Sequence, residues 1–278
     1  MCRIQTHGSY WLLQITRVLI VISFIFLNSV LWSHPLSMQQ IFFLELFSLL
    51  SVLVVFLSAL SFQSRFLFST FFMLVAWRLV SLAQLPWLPE LYVLILLVKL
   101  TNFFIAAYND IREASLGDKQ HHHNTCFEWQ LFFIRMFIGY DLVPHFCEKL
   151  FAGTVVRLGD VHAFSQLGVH HPLATVLVAG LCELGGALSI STGLFTRLGS
   201  VCLFAYLMIA TVLGHHFSLG FIWASPGGGW EFPMLWGVLI LSFAFFGAGE
   251  FSIDAAVLDR LRARPRWLCF LMGQRSSH

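Results

Sequence analysis

The sequence is poor in charged residues. Asp, Glu, Lys and Arg make up 11% of the 278 residues, whereas soluble domains contain about 25%. Hydrophobic residues make up 58%, and the mean hydropathy is +0.80. The longest polar stretches are Asn109–Glu128 and the tail after Asp254, and neither is long enough for a soluble domain. The composition therefore excludes a soluble enzyme and predicts an integral membrane protein.

Regular cysteine spacing is also missing. The six cysteines form no CxxC pair, and most lie in or near apolar segments, where a free cysteine acts as a small hydrophobe. A disulfide framework is not expected. The sequence shows no dinucleotide or flavin motif either, so an electron donor would have to be a partner protein or another cofactor. The net charge of +2 does not indicate a nucleic-acid partner, because membrane topology accounts for the placement of the basic residues.

Apolar runs dominate what remains. Spanning a bilayer requires about 20 apolar residues, and eight segments qualify approximately. We therefore predict an all-α polytopic membrane bundle with four regions: an N-terminal four-helix region over 1–110, a cytoplasmic linker over 111–128, a second four-helix domain over 129–257, and a basic tail over 258–278. The eight segments are Trp11–Trp32, Phe42–Phe62, Phe66–Leu85, Leu91–Tyr108, Trp129–Phe151, Pro172–Leu194, Leu198–Phe217 and Phe232–Gly249.

The basic residues predict the topology. With eight helices and both termini cytoplasmic, only Lys149 and Arg157 face outward, which matches the excess of Lys and Arg in cytoplasmic segments. The basic tail is expected either to lie on anionic lipid or to act as a topology anchor. The residues predicted on the cytoplasmic side are Arg3, Arg65, Arg112, Lys119, Arg197, Arg260, Arg262, Arg264, Arg266 and Arg275.

Several ionisable residues fall at membrane depth, where each costs a few kcal/mol and usually faces the protein interior. Asp141, His145 and Glu148 are spaced i, i+4 and i+7, so they share one helix face. We expect Pro144 to kink this helix. Arg135 in the fifth segment and Glu183 in the sixth lie at similar depth, which predicts an ion pair between them. Such a pair could equally be structural.

A second group is predicted at the outer ends of the helices. His215 and His216 close the seventh segment, and Trp230 and Glu231 open the eighth after a glycine-rich loop. We expect these residues to converge with His145 near the outer leaflet, where the predicted loop 151–171 adds further polar groups. Histidine and carboxylate are ligand types for zinc or copper, but no compact motif such as HExxH is present. A metal site is therefore not favoured.

Several motifs in the right order resemble the DoxX family of four-helix membrane proteins, over about residues 131–254. The sequence departs from the family pattern at Phe146, which replaces the glycine that usually follows the histidine. The first four helices are an extension that the common short members lack. The matching residues are Phe133–Gly139, then His145, Glu148, Lys149 and Phe151, then Ala179–Gly186, Thr192–Arg197, Gly228–Pro233 and Phe246–Gly249 with Ser252–Asp254.

This resemblance implies a bacterial inner-membrane location and an association with redox systems, because the best-known members are subunits of a thiosulfate:quinone oxidoreductase. Our leading hypothesis is a membrane subunit of a quinone-linked redox complex with a partner redox protein. In it, Arg135 and Glu183 tune a quinone pocket, His145 binds a quinone carbonyl and Glu231 or His216 passes protons. The alternatives are a small-molecule or metal-ion transporter and a structural assembly subunit. The full candidate set is Arg135, Asp141, His145, Glu148, Glu183, His215, His216, Trp230 and Glu231, with a haem between His145 and His215 or His216 as a less favoured option.

Overall fold

The computed structural model describes residues 7–260, 268 and 271–272, and all regular secondary structure in this range is helical. The all-α prediction is confirmed. Six helices, α1 to α4, α8 and α9, are long and apolar enough to cross a membrane, and α10 is a shorter apolar helix. Most of the predicted basic tail lies outside the described residues. The helices are α1 His7–Leu31, α2 Met38–Phe56, α3 Phe62–Leu82, α4 Leu88–Ser115, α5 Lys119–Asp141, α6 Val143–Leu150, α7 Thr154–Gln166, α8 Pro172–Thr192, α9 Thr196–Leu213, α10 Glu231–Phe246 and α11 Ile253–Arg260.

The fifth predicted segment is divided in two. Helix α5 ends at Asp141 and α6 begins at Val143. Pro144 lies in the first turn of α6, where its missing N–H costs nothing, whereas inside a continuous helix its ring would clash with the carbonyl of Tyr140. The predicted kink therefore falls at a one-residue interruption, where Leu142 separates α5 from α6.

Two predicted irregular regions are largely helical. The stretch 111–128 belongs to the ends of α4 and α5 except at residues 116–118, and the loop 151–171 contains α7. Helix α7 buries none of its residues. Its sequence lacks the long apolar run that identified the other helices. A search for apolar segments therefore could not identify α7 as a helix.

The described chain forms two compact units. The first unit comprises Met1–Trp129 with Phe151–Thr154, and the second comprises Gln130–Leu150 with Val155–His278. In the first unit, α1 packs on α2 and α4, and α3 packs on α2 and α4. Leu27, Leu44, Val75 and Ile95 are buried there with at most 1% exposure, so each of the four helices contributes to one apolar core.

In the second unit, α8 packs on α6 and α9, and α9 packs on α10. The buried core of this unit comes from α5, α8, α9 and α10. Gly139 brings α5 against α8, since a Cβ added at Gly139 would lie 2.6 Å from the Ser191 Cβ and 2.8 Å from the Ser191 backbone nitrogen. Small residues permit such close approach of helices in membranes. The core residues are Leu131, Ile138, Ile190, Leu203, Ile240 and Phe243.

Candidate functional site

Three polar side chains from three helices meet inside the second unit. The Lys149 Nζ of α6 lies 3.1 Å from the Glu183 Oε2 of α8. The Tyr206 hydroxyl of α9 donates a hydrogen bond of 2.6 Å to the Glu183 Oε1. Lys149 is 7% exposed and Glu183 6%, while Tyr206 is half-buried. We refer to Lys149, Glu183 and Tyr206 as the buried triad.

Two glycines of α8 allow the neighbouring helices to reach Glu183. Gly180, one turn before it, leaves space for α6, because a Cβ there would lie 2.9 Å from the Lys149 Cβ. Gly186, one turn after it, leaves space for α9, because a Cβ there would lie 2.6 Å from the Leu203 Cδ1. Positions three apart lie on neighbouring parts of a helix surface. The Gly-x-x-Glu-x-x-Gly spacing thus exposes one carboxylate to a cation on one side and a hydroxyl on the other.

The two carboxylate oxygens of Glu183 differ in their surroundings. Oε1 accepts the tyrosine hydroxyl, whereas Oε2 is buried and accepts no hydrogen bond from the described residues. The Lys149 ammonium is close enough to Oε2 to form an ion pair, but it is not aligned as a hydrogen-bond donor. The same ammonium donates to the His145 carbonyl at 3.1 Å. Because an ammonium has three N–H groups, Lys149 keeps donor capacity for an oxygen of a ligand.

The predicted ion pair between Arg135 and Glu183 is wrong. The Arg135 guanidinium instead donates to the carbonyl oxygens of Ala248 and Phe251. Gly139 packs against Ser191 near the end of α8, so Arg135, one turn earlier on α5, reaches beyond the end of that helix. The prediction took Arg135 and Glu183 to lie at equal depth. It did not include this offset, which the close contact at Gly139 imposes.

Arg135 belongs to a separate cluster around the turn between α8 and α9. There the Asp254 carboxylate accepts hydrogen bonds from the backbone N–H of Phe195 at 2.8 Å and from the N–H and hydroxyl of Thr196 at 3.0 and 2.9 Å. These bonds satisfy free donors at the start of α9. Burial raises the pKa of the Asp254 carboxyl group, and the hydrogen bonds and the Arg135 charge oppose that rise. The cluster closes the helix ends, which is a structural role.

Asp141, His145 and Glu148 form a polar group around the break between α5 and α6, as their spacing predicted. His145 interacts electrostatically with Asp141, and Asp160 of α7 interacts with His145, Glu148 and Lys149. Burial raises the pKa of the Asp160 carboxyl group, partly offset by the Lys149 charge. The His145 side chain is exposed. This group adjoins the buried triad through Lys149 and offers a polar route towards it.

His145 makes no direct contact with the two histidines that follow α9 in the described part of the chain. His216 Nδ1 lies 2.9 Å from the Gly228 carbonyl oxygen, and the centre of the His216 ring lies 5.4 Å from that of the tilted Trp223 ring. His215 is exposed. In the part of the chain that is described, neither of these histidines forms a hydrogen bond or ring contact with His145. The three histidines therefore form no direct contact, and their convergence at the outer ends of the helices stays a prediction.

The remaining candidates organise the loop 214–230. The Glu231 Oε2 accepts the Trp223 backbone N–H at 3.1 Å, and the Trp230 ring contacts Phe217 and Phe221 at 6.4 and 4.7 Å. Trp230 and Glu231 also donate backbone N–H groups to carbonyls earlier in the loop. These contacts hold the loop in one conformation, and no group of three potential metal ligands occurs among the described residues.

Lys149 and Tyr206 were missed as site residues, although both carried a signal. Lys149 stands in the stretch that matches the DoxX pattern, but the topology argument treated it only as an external charge. Tyr206 and Glu183 lie at similar distances in sequence from the turn between α8 and α9, so an antiparallel pair places them at one depth. A search for charged residues alone could not find a tyrosine hydroxyl.

Comparison with known proteins agrees with this geometry. The DoxX family model matches residues 130–216. An uncharacterized protein of Haemophilus influenzae is 29% identical over 124 residues, which span 45% of this chain and 87% of that protein. No solved structure shows a significant match. The matched residues include the whole of the buried triad. The second unit of this membrane protein therefore contains a DoxX domain.

Proposed function

We propose that the protein is a membrane subunit of a quinone-linked redox complex, in which the buried triad exchanges protons with a bound quinone. The observation that carries the proposal is the Glu183 carboxylate, buried at mid-helix with one oxygen that accepts no hydrogen bond. A buried ionisable group inside a spanning bundle is costly and is a functional candidate by default. Lys149 and Tyr206 connect the Glu183 carboxylate to further polar groups, so it is not an isolated charge.

The chemistry of quinone reduction fits the groups that meet there. A quinone becomes a quinol by taking up two electrons and two protons. The Tyr206 hydroxyl and the Lys149 ammonium are donors that could hold a quinone oxygen, and Glu183 can pass a proton between them. The electrons come from a partner redox protein in this proposal. His145 and Asp160 would connect Lys149 to water at the helix ends.

The surroundings of the triad also suit a lipid-soluble substrate. Leu181 and Cys182 precede Glu183 and are exposed, and Val201 and Ile209 are exposed on α9 around Tyr206. In a bilayer these faces meet acyl chains, where quinones are dissolved. A quinone would therefore approach from within the membrane. The proposed location is the bacterial inner membrane with both termini cytoplasmic, which rests on the distribution of basic residues.

Quinone content of the purified protein tests the proposal. Wild type and the Glu183→Gln and Tyr206→Phe variants are purified from bacterial membranes in mild detergent, and lipid extracts are analysed by chromatography. We expect near-stoichiometric quinone in wild type and at least about tenfold less in Glu183→Gln, because a charge-assisted contact is lost. Glu113→Gln makes the same change at an exposed carboxylate of α4 and should keep the wild-type quinone content.

Two results would contradict the proposal. Wild type could carry no more quinone than an unrelated membrane protein purified in the same way. Alternatively, Glu183→Gln could keep its quinone while the amount of folded protein falls. The second result would favour a structural assembly subunit, because a buried ion pair also locks helices together. Uptake of a solute by proteoliposomes that depends on Glu183 would instead favour a transporter.

A further inference from the structure

The first unit contains a buried lysine that no protein carboxylate neutralises. Lys99 of α4 is 3% exposed, and its Nζ donates to the Ser69 hydroxyl at 2.5 Å and lies 5.3 Å from the centre of the Phe66 ring. Neither partner carries a negative charge. All 14 aspartates and glutamates of the chain lie in the described part, and none is within ion-pair distance of Lys99.

Two arginines add positive charge nearby. Arg65, in the first turn of α3, lies one turn before Ser69 and is close enough to Arg17 of α1 to be repelled by it. The Arg17 guanidinium contacts only the Gln14 amide at 3.4 Å and the Phe56 ring at 5.3 Å. Within the described residues neither arginine pairs with a carboxylate. Three cations in one region without a counter-charge are unfavourable in a low-dielectric environment.

Two of these cations, Arg65 and Lys99, line one cleft. Arg65, Ser69 and Lys99 line it together with Leu13 and Phe62. It encloses about 300 Å³ of empty space that is open to the surface. The narrow interior excludes a bulky solute but admits an oxygen of a slender anionic group. The polar and apolar walls together suit a ligand with both characters.

We propose that this cleft binds a phosphate-type oxyanion, through the Lys99 ammonium and the Arg65 guanidinium. Lys99 has three N–H donors, of which Ser69 takes one, so two remain for phosphate oxygens. Arg65 offers the planar fork that binds phosphate in a bidentate manner. The Ser69 hydroxyl in turn donates to the Arg65 carbonyl at 2.6 Å, which orients it as an acceptor for Lys99. The protein thus holds the lysine in place without neutralising its charge.

Two sources could supply such a group. One is the headgroup of an acidic phospholipid, whose phosphate lies at the membrane boundary, near the first turn of α3, and whose acyl chain could follow Leu13 and Phe62. The other is free inorganic phosphate that enters from water. Both present the same oxygens to Lys99 and Arg65, and both should depend equally on those two residues. The experiment therefore needs one arm for each source.

For the lipid arm, the full-length protein is titrated with phosphatidylglycerol or phosphatidylcholine, and bound lipid is counted by native mass spectrometry. We expect wild type to prefer phosphatidylglycerol, and Lys99→Met to lower its affinity for that lipid by about tenfold. Arg65→Gln should lower it in the same direction. Arg112→Gln removes one positive charge from an exposed position of the same helix as Lys99 and should change the affinity by less than about twofold.

For the phosphate arm, the unfolding temperature is measured in phosphatidylcholine nanodiscs, with inorganic phosphate or chloride at equal ionic strength. A rise with phosphate in wild type but not in Lys99→Met would assign the site to the free ion. A preference for phosphatidylglycerol without such a rise would assign it to the lipid headgroup. If phosphatidylglycerol and phosphate bind no better than their controls, or if binding survives both Lys99→Met and Arg65→Gln, the proposal is overturned.

Discussion

The two units each bury one lysine, and the two lysines face different surroundings. In the second unit, Lys149 lies 3.1 Å from Glu183, whose other oxygen is bonded to Tyr206. In the first unit, Lys99 meets only a hydroxyl and an aromatic ring. Burial is nearly equal, at 7% and 3% exposure. The same residue type in similar burial therefore has a charged partner in one unit and none among the described residues in the other.

This difference separates two uses of a buried cation. A charge that is paired within the protein stabilises the packing of the helices that carry it, provided both partners stay. A charge without a pair lowers stability, and the protein regains that loss when an external anion binds. The comparison predicts that removing the charge should have opposite effects on the two units.

The largest expected effect is on the paired lysine. Lys149→Met leaves the Glu183 carboxylate buried without a cation, and we expect the free energy of unfolding to fall by about 3–5 kcal/mol. Denaturation in mixed micelles measures this value. The double variant Lys149→Met/Glu183→Met should recover most of the loss, because neither charge is then stranded. Equal losses in the single and double variants would show that the contact is not a coupled pair.

The same substitution at the unpaired lysine should have the opposite sign. In phosphatidylcholine, Lys99→Met removes an uncompensated buried charge and keeps a similar volume, so we expect the free energy of unfolding to rise by about 1–4 kcal/mol. The same denaturation measurement applies to both variants, so it tests directly whether the two substitutions change the free energy of unfolding in opposite directions. A fall of the size expected for Lys149→Met would mean that Lys99 has a counter-charge in the folded protein.

A smaller effect tests how the second unit assembles its pair. Gly180→Ala places a Cβ 2.9 Å from the Lys149 Cβ and the Leu150 Cγ, so α6 must shift, and we expect a loss of about 1–3 kcal/mol. Gly185→Ala is the matched control, since nothing lies within 4 Å of a Cβ there. That control should be neutral or slightly stabilising, because alanine favours helix more than glycine does. Indistinguishable unfolding curves for the two variants would refute close packing at Gly180.

Much of the second unit could be predicted from local patterns. The motifs of the second half identified the DoxX domain, whereas the predicted single helix face of Asp141, His145 and Glu148 is divided between α5 and α6. The partner of Glu183 could not be predicted in this way. It depends on the break at Pro144, which lets α6 bring Lys149 towards Gly180, and no rule of depth along a straight helix anticipates that step.

The same limit of prediction from sequence applies to the first unit. Its apolar runs predicted helices at nearly the right positions, because the bilayer requires a minimum apolar length and interior hydrogen bonding. Its ionisable residues could be identified from the sequence, but their interaction partners could not. Glu45 and Lys99 were both available as partners, and only the packing of α3 on α4 shows that Lys99 turns to Ser69.

Class, helix positions and family therefore follow from the amino-acid order alone, since they depend on hydropathy and short motifs that act within a single segment. Which buried charges meet, and which stay without a counter-charge, was decided by the packing of helices. A difference of one turn, about 5.4 Å along a helix, is enough to exchange one partner for another.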